Sequence, residues 1–514
     1  MALKRILRVF IAAAIALLFL RFGTSILSGP RYPDLILAAD YDHAQKPTLA
    51  SYLDFLNVAH PSFKSLKLNN KGWNNPRYRR AITAVTPESK RLELVTLGSA
   101  DHAATRDAHQ LVVSAIPKYE PIVTYKRGTR GIVTIAGEVF TAQTLVSLRM
   151  LRRYNTETPV EIFLPEDCAP EASSNICTKL FPELNAKCIV LPNIPGHSVS
   201  RFAYKAFALL HSSFEDVLFL DADNFPIVDP SRLFESTPYM KTGLVTWPDF
   251  WESMMSPIYY DIASLPVDPM TLHAGSESGQ IIINKKRHAA TLLLATYYSI
   301  FGDKQYFILF NQGGHGEGDK DSWIHAAKAL SLPYYQVREI VGELGGEVME
   351  WFYIGILQAD PQADYMVEQT LSPQATWRNA TPGVDRVLVH HSWVKLNPDH
   401  IVRERHSEKR VGERMWGSRE QTEQIHGFDL EMDVWNEVLW VACAVEKYLP
   451  DEKDRGQCDK VKEVWSWILE KEGISKVEME KTFTMATDPK RKPARPSHGQ
   501  SSKSGQHLQS GGGV

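Results

Sequence analysis

The chain has 514 residues, with 57 Lys and Arg against 60 Asp and Glu and a formal net charge of −3 at pH 7. Hydrophobic residues make up 44% and charged residues 23% of the sequence, and these proportions exclude a chain that is disordered or fibrous throughout. The near-neutral charge argues against a nucleic-acid-binding protein, which needs a basic surface to neutralise phosphates.

Basic residues at the N-terminus precede an apolar run that extends from Val9 to Leu20. The run alone is shorter than the roughly 17–25 residues of a membrane-spanning helix, but residues 6–27 are long enough if the two arginines of this stretch reach the membrane interface. A cleaved signal peptide fits the same pattern. We favour a single transmembrane anchor over 9–27, with a cytosolic tail at 1–8 and the rest of the chain in the secretory lumen.

The remaining chain divides into three regions by composition. Residues 28–120 mix short helical patterns with Pro and Asn breaks, and we predict a lumenal stem there. Residues 121–486 form the predicted catalytic domain, for which the length is ample. Residues 487–514 are rich in Lys, Arg, Ser, Gly, Gln and Pro, which predicts a disordered basic tail because so little apolar surface can be buried.

From Ile122 onward, short apolar strands alternate with amphipathic helices. The predicted elements are, in chain order, Gly131–Ala136, Phe140–Tyr154, Val160–Leu164, Cys188–Leu191, Arg201–Ser212 and Val217–Leu220. This alternation predicts an α/β fold with a mostly parallel sheet and helices on both faces. In such sheets ligands bind beyond the carboxyl ends of the strands, so the residues after each strand are the candidates for chemistry.

The five cysteines fall into two groups, Cys168, Cys177 and Cys188 in the first and Cys443 and Cys458 in the second. The sequence has no Cys-x-x-Cys pair, which argues against a zinc site or a thioredoxin-type motif. An oxidising lumen favours two disulfides and one remaining thiol. We predict Cys443–Cys458 and one pair within the first group, and five reduced thiols are the alternative.

Two carboxylates, Asp221 and Asp223, directly follow the apolar strand Val217–Leu220. They can share one divalent cation, which takes oxygen ligands and can bridge to the phosphate oxygens of a ligand. An Asx turn that closes the strand is the structural alternative. Because the pair stands at the end of a fully apolar strand in a secretory-type chain, we favour the metal site.

Four segments carry further motifs: RFAYKAFALL at 201–210, SSFEDVLFLDADN at 212–224, ESGQIIINK at 277–285 and GDKDSW at 318–323. In this order they resemble the fungal α-mannosyltransferases of the Mnn1/Mnn2 type, and the similarity covers roughly residues 125–400. The resemblance implies a single-pass type II Golgi membrane enzyme with a GT-A-like nucleotide-sugar fold. It also implies transfer of mannose from GDP-mannose to a mannoside glycan with retention of the α configuration, a divalent cation that is usually Mn²⁺, and complexes with other Golgi transferases.

With this resemblance, roles follow for the charged residues near the Asp pair. The predicted metal ligands are Asp221, Asp223 and His390, and the predicted contacts to the nucleotide are Lys205, Arg201, Lys395 and again Asp221, which can reach the ribose. His390 is preferred over His391 because it comes first after the strand at 386–389. A core histidine and a solvated helix lysine are the structural alternatives for His390 and Lys205.

Three residues are assigned to the sugars. Glu277 and Gln280 flank Gly279 in a predicted turn into the strand 281–283, where a carboxylate and an amide can bond sugar hydroxyls. Asp321 is assigned to the sugar side by the family match, and capping of the helix 323–330 is its structural alternative. Trp247, Asp249 and Trp251 are candidates for an acceptor platform, although core packing is the favoured interpretation of the two tryptophans.

Other classes of protein share parts of this pattern. Haloacid-dehalogenase-type phosphatases also place Asp-x-Asp after an apolar strand, but Phe225 occupies the position where they carry Thr or Val. A non-catalytic lumenal lectin or scaffold, and a transferase that uses another nucleotide sugar, remain alternatives.

Overall fold

The computed structural model describes residues 46–69, 89–192, 194, 201–270, 272, 274–314, 318–345, 355–370, 381–392, 395–407, 412–448 and 456–493. The described residues from Pro47 onward belong to one compact unit. The predicted anchor at 9–27 lies outside the described residues. Within the described part of the chain, every helix is too short or too polar to cross a membrane.

The elements of the described residues are numbered in chain order. The strands are β1 Lys67–Leu68, β2 Val95–Thr96, β3 Lys126–Ile135, β4 Val160–Leu164, β5 Ala186–Val190, β6 Phe214–Leu220, β7 Asn224–Pro226, β8 Leu244–Pro248, β9 Ser276–Asn284, β10 Tyr335–Gln336, β11 Gly342–Leu344, β12 Gly355–Ala359 and β13 Arg386–His390. The α-helices are α1 Leu49–Val58, α2 Ser99–Tyr119, α3 Phe140–Tyr154, α4 Phe181–Glu183, α5 Ala203–His211, α6 Thr237–Thr242, α7 Pro257–Ile262, α8 Ala289–Ile300, α9 Phe307–Asn311, α10 Ser322–Ala329, α11 Pro361–Glu368, α12 Pro398–Ser407, α13 Arg419–His426, α14 Leu430–Tyr448, α15 Gln457–Lys471 and α16 Lys476–Thr487.

A seven-stranded mixed sheet of order β10-β8-β9-β6-β3-β4-β5 lies at the centre. On one side of β6, the strands β3, β4 and β5 all run parallel to it. On the other side, β9 runs antiparallel to both β6 and β8, and β10 is parallel to β8. The predicted α/β sheet is therefore confirmed as mostly parallel, with β9 as its reversed strand.

Both faces of this sheet are buried, as the fully apolar strands predict. Val217 and Phe219 of β6 enter one hydrophobic core, and Leu218 and Leu220 enter a second core on the opposite face. Side chains alternate between the two faces of a strand. A strand that is apolar at every position must therefore be covered by helices on both sides.

Within the predicted stem, the described helices α1 and α2 pack on the domain. Tyr52 of α1 is fully buried, and its hydroxyl donates to the carbonyl oxygen of Leu293 at 2.8 Å. His109 of α2 is buried, and its Nε2 lies 2.7 Å from the hydroxyl oxygen of Tyr298. The apolar faces of these helices would be exposed to water in a free stem, and burying them joins both helices to the domain.

The predicted disulfides are confirmed. Cys443 pairs with Cys458, and within the first group Cys177 pairs with Cys188. Among the described residues, Cys168 keeps a free and buried thiol.

The predicted tail at 487–514 begins too early, because its first residues are docked. Trp440 Nε1 donates to the carbonyl oxygen of Asp488 at 3.2 Å. Arg491 Nη2 donates to Glu437 Oε2 at 2.7 Å. These contacts are polar hydrogen bonds. A prediction of disorder from the lack of apolar residues therefore cannot detect them.

Two truncations are expected to differ in stability. Ending the chain after Pro493 should leave the melting temperature unchanged. Ending it after Thr487 should lower the melting temperature by several degrees, because the buried carboxylate of Glu437 then loses its contact with Arg491. Thermal unfolding of both proteins measures the difference. Equal melting temperatures would show that the contacts of Arg491 contribute nothing.

Candidate active site

A cavity of about 590 Å³ lies at the carboxyl ends of the strands. The residues that directly follow β3, β4, β6 and β8 all line it, and they are Ala136, Pro165, Asp221 and Asp249. Most of the residues that carry the sequence-based site assignments also line it. The cavity therefore lies where the strand–helix alternation predicts a ligand.

The Asp pair is held by the end of β6 and the turn that follows it. The backbone N–H of Asp221 donates to the carbonyl oxygen of Gly279 at 2.8 Å, and the N–H of Asn224 donates back to the carbonyl oxygen of Asp221 at 2.9 Å. The turn is thus closed by backbone groups, and both carboxylates point to the cavity, whose lining they share. The Asp221 side chain is 33% exposed and that of Asp223 is 8% exposed.

His390 reaches the Asp pair through a second, antiparallel sheet of order β11-β12-β13-β7. In this sheet His390, the last residue of β13, lies opposite Asn224 of β7. His390 Nε2 is 3.2 Å from Asp223 Oδ1, and Nδ1 is 3.4 Å from Glu277 Oε2. Strand pairing therefore brings together residues that are far apart in the sequence.

Positive charge surrounds the Asp223 carboxylate. Lys395 Nζ contacts Asp223 Oδ2, and His390 faces the other oxygen. Burial works to raise the pKa of Asp223, but Lys395 and His390 outweigh it and hold this pKa below its usual value. Burial likewise works to lower the pKa of His390, but the carboxylates of Glu277 and Asp223 raise it well above its usual value.

The side chains of Asp221, Asp223 and His390 fit a divalent cation. Each offers one ligand atom, and these atoms lie within 4.8 Å of one another. Two carboxylate oxygens and one imidazole nitrogen form a donor set that suits Mn²⁺, and binding of the ion would displace the proton that His390 carries in its absence. Burial raises the pKa of Asp221 to about 6, with the carboxylate of Asp223 adding to the effect and Lys205 opposing it, and a cation bound between the carboxylates would relieve that repulsion.

A second cluster of possible ligand atoms on the cavity wall is equally close together but suits a hard cation less well. It consists of Glu138, Asp167 and Cys168. Burial, followed by nearby carboxylates, raises the pKa of the Cys168 thiol to about 11, so the sulfur stays protonated at neutral pH. A cysteine sulfur is also a soft donor, whereas hard cations such as Mn²⁺ prefer oxygen ligands.

Lys205 of α5 is buried against acceptors of the protein itself. Its Nζ donates to the carbonyl oxygen of Ser278 at 2.7 Å and to Asp319 Oδ1 at 3.2 Å, and it lies 3.5 Å from Asp221 Oδ1. These contacts support a role in positioning Asp221 rather than the predicted contact to the diphosphate. Arg201 lies at the exposed rim of the cavity, where its Nη2 is 3.0 Å from Glu138 Oε2.

The predicted turn at Gly279 is wrong, because Ser276–Asn284 is the continuous strand β9. Glycine is required here for close approach, since a Cβ atom on Gly279 would lie 2.5 Å from His390 Nδ1. Glu277 lines the cavity, and its Oε1 accepts hydrogen bonds from the N–H groups of Ser278 and Gly279 at 2.9 and 2.7 Å. The strand β9, which takes the place of the predicted turn, still places Glu277 at the cavity.

Four described residues with predicted or alternative site roles do not line the cavity, namely Gln280, Asp321, Trp247 and His391. Gln280 Oε1 accepts from Asn224 Nδ2 at 2.5 Å, and Asp321 Oδ1 accepts from the N–H of Ser276 at 2.9 Å. Trp247 is fully buried, and its Nε1 donates to the carbonyl oxygen of Ala359 at 2.8 Å. The sugar-side assignments of Gln280, Asp321 and Trp247 gain no support from this geometry, which indicates that the three residues hold neighbouring elements in place.

His391 is fully buried in the core and its ring centroid lies 5.5 Å from that of Trp416. Because His391 packs in the core, His391→Ala should lower the melting temperature and leave the Mn²⁺ midpoint unchanged. His390→Ala, by contrast, is expected to weaken Mn²⁺ affinity by about 10–100-fold. Calorimetric titration with Mn²⁺ and thermal unfolding measure the two effects. Equal Mn²⁺ midpoints for both variants would remove His390 from the site.

Among the cavity residues to which the sequence analysis gave no role is Lys320. Its Nζ donates to Asp249 Oδ2 at 2.8 Å, and both residues are buried and line the cavity. The only signal was local, since Lys320 stands between two aspartates in the fourth motif. Its partner lies 71 positions earlier in the chain, and the sequence does not indicate that distant pairing.

Comparison with known proteins gives consistent results. A family model described as "Mannosyltransferase putative" matches residues 129–274 and 270–349. The α-1,2-mannosyltransferase MNN21 of Candida albicans is 31% identical over 441 residues, which cover 72% of this chain and 66% of that protein. The α-1,2-mannosyltransferase MNN2 of Saccharomyces cerevisiae is 32% identical over 382 residues, which cover 63% of each chain.

The chain thus spans about two thirds of the length of these two curated relatives. Among solved structures, the glycosyltransferase GlyE of Streptococcus pneumoniae matches with a TM-score of 0.28 and 14% identity, over 40% of this chain and 45% of that chain. A similarity of this size supports no conclusion about function.

Proposed function

Because the chain belongs to the Mnn2-type family of mannosyltransferases, we propose that it is a metal-dependent enzyme that transfers mannose from GDP-mannose to a mannoside of a glycan. The observation that carries the proposal is the cluster of Asp221, Asp223 and His390 beside Lys395 in the cavity. The family membership supports the GT-A-like fold, the GDP-mannose donor and retention of the α configuration.

The strand order suggests how the substrates are arranged. The wall at Ala136 and Pro165 follows the parallel strands β3 and β4 on one side of β6, whereas Asp249 and Glu277 belong to the β8 and β9 side. Nucleotides bind at the carboxyl ends of parallel strands where the strand order changes direction. We therefore place the nucleoside near β3 and β4, the diphosphate at the Asp pair, and the sugars near β8 and β9.

The proposed mechanism centres on the charge of the leaving group. Breaking the bond between mannose and phosphate leaves a diphosphate with additional negative charge, and a divalent cation held by Asp221, Asp223 and His390 would supply positive charge there. Lys395, whose side chain is 39% exposed at the cavity, adds an ammonium that can bond the diphosphate. In a retaining transfer the acceptor hydroxyl attacks the face that the diphosphate leaves, and its proton passes to the departing oxygen.

We also propose that residues 9–27 anchor the enzyme in the Golgi membrane as a type II protein with its catalytic domain in the lumen. The basic and apolar pattern of the N-terminus supports this placement. Association with other Golgi transferases belongs to the same proposal and follows from the family resemblance.

A screen of the purified protein against several nucleotide sugars, with Mn²⁺ present and α-mannosides as acceptors, tests the proposal. Transfer from GDP-mannose is the expected result. Transfer from a uridine-linked sugar alone would favour the alternative donor. A protein that binds neither Mn²⁺ nor GDP in a calorimetric titration would instead favour the lectin or scaffold alternative.

A further inference from the structure

We propose that Asp249, held in place by Lys320 and flanked by Trp251, forms the subsite that binds the acceptor mannoside. The inference rests on the proposed function and adds the residues that recognise one of its two sugars. Its basis is a buried ion pair on the cavity wall, which the proposed diphosphate chemistry leaves without a role.

Asp249 occupies a defined place in the sheet. It follows β8 directly, and its N–H donates to the carbonyl oxygen of Gly275 at 2.7 Å. In the strand order, β8 lies one strand further from β6 than β9 does. The donor mannose is bonded to the diphosphate and so must lie beside the Asp pair, where Glu277 of β9 contacts His390. The next strand outward is the place for the second sugar.

The chemistry of the pair suits hydroxyl groups. The Asp249 and Lys320 side chains are only 9% and 5% exposed, and burying such a pair costs desolvation that an apolar pair would avoid. Asp249 Oδ1 accepts from the N–H of Phe250 at 2.7 Å, and Oδ2 accepts from Lys320 at 2.8 Å. A carboxylate oxygen has two lone pairs, so both oxygens can accept further bonds from sugar hydroxyls. The same carboxylate would repel a phosphate.

Trp251 supplies an aromatic surface next to the carboxylate. It is half-buried and lines the cavity, and it packs edge-on against Phe250 with ring centroids 4.9 Å apart. The negative face of an aromatic ring attracts the slightly positive C–H groups of a sugar. Gly275 permits the close packing behind this wall, because a Cβ atom there would lie 3.2 Å from the carbonyl oxygen of Trp251 and 3.4 Å from Lys320 Nζ.

The test separates acceptor binding from donor binding in two variants, Asp249→Asn and Trp251→Ala. For Asp249→Asn, the KM for methyl α-mannoside is expected to rise by about 10-fold or more, the size of effect seen when a hydrogen bond to a charged group is lost. For Trp251→Ala, which removes the aromatic surface, the KM is expected to rise by about 2–10-fold. The affinity for GDP in the presence of Mn²⁺ is expected to stay unchanged. Asp261→Asn serves as the matched control, because that carboxylate is 62% exposed and pairs with His102, and neither of these residues lines the cavity.

Asp249→Asn leaves Lys320 buried beside a neutral group, and the fold of each variant is therefore checked by thermal unfolding. Trp251→Ala keeps the ion pair intact and must show the rise in KM even if Asp249→Asn fails to fold. An unchanged KM for the mannoside in Trp251→Ala would overturn the proposal. A parallel loss of GDP affinity in either folded variant would also overturn it, because the wall would then serve the donor.

Calorimetric titration of methyl α-mannoside without a donor distinguishes this inference from the proposed function. A wild-type protein that binds the mannoside through Asp249 and Trp251 but transfers no mannose would refute the function and support the subsite. A protein that transfers mannose equally well after both substitutions would support the function and refute the subsite.

Discussion

Replacing Asp223 by Asn is expected to reduce mannose transfer by about 10²-fold or more, the loss typical of a major electrostatic group in an active site. Both oxygens of this carboxylate face cations, His390 on one side and Lys395 on the other. The substitution keeps the size of the side chain and removes the charge that a divalent cation would require. Folding should survive, because Asn is well tolerated in a turn after a strand and Lys395 is partly solvated.

The measurement is transfer from GDP-mannose over a Mn²⁺ titration, for wild type and variant. Glu215→Gln is the matched control, because Glu215 lies on the same strand at the end opposite the cavity, where its Oε2 accepts from the N–H of Gly128 at 2.7 Å. An amide oxygen can keep that bond, so the control should transfer mannose at the wild-type rate. An Asp223→Asn enzyme with the wild-type rate and Mn²⁺ midpoint would refute the proposed role of the Asp pair.

The sequence was most informative where structure depends on local pattern. The apolar run in β6 predicts a strand covered on both faces, and the structure distributes Val217 and Leu218 to opposite cores. The helix Phe140–Tyr154 has the predicted bounds, because its apolar residues recur at helical spacing. The position of Asp221 at the cavity follows from the same logic, since the end of a buried parallel strand is a place where polar groups can meet a ligand.

Sequence reasoning failed where long-range pairing decides the structure. Glu277, Ser278 and Gly279 suggest a turn when they are considered alone, because all three are polar or small. In the folded chain, Leu220 of β6 pairs with Gln280 of β9, and this antiparallel pairing extends the strand through the polar residues. The Asp249–Lys320 ion pair could not be predicted for the same reason, because the sequence around each residue does not indicate its partner.

A second large effect is expected at Glu437 of α14, whose side chain is completely buried among arginines. Arg149 Nε donates to its Oε2 at 2.6 Å, Arg153 Nη1 donates to its Oε1 at 2.9 Å, and Arg491 donates to both oxygens. Burial works to raise the pKa of Glu437, but the arginines outweigh it and lower this pKa. One carboxylate thus links α3, α14 and the chain after α16.

Glu437→Ala is expected to lower the free energy of unfolding by about 3–5 kcal/mol, because it leaves buried arginines without their shared counter-ion. The matched variant Glu463→Ala removes an exposed glutamate from α15 and should change stability by less than about 0.5 kcal/mol. Urea unfolding at pH 7 measures both. A lowered carboxylate pKa contributes stability above the usual pKa of about 4.3 and loses it as the pH falls through the folded value. The gap between wild type and Glu437→Ala should therefore narrow in acid, and a gap that is small at pH 7 or constant with pH would refute the role of this charge.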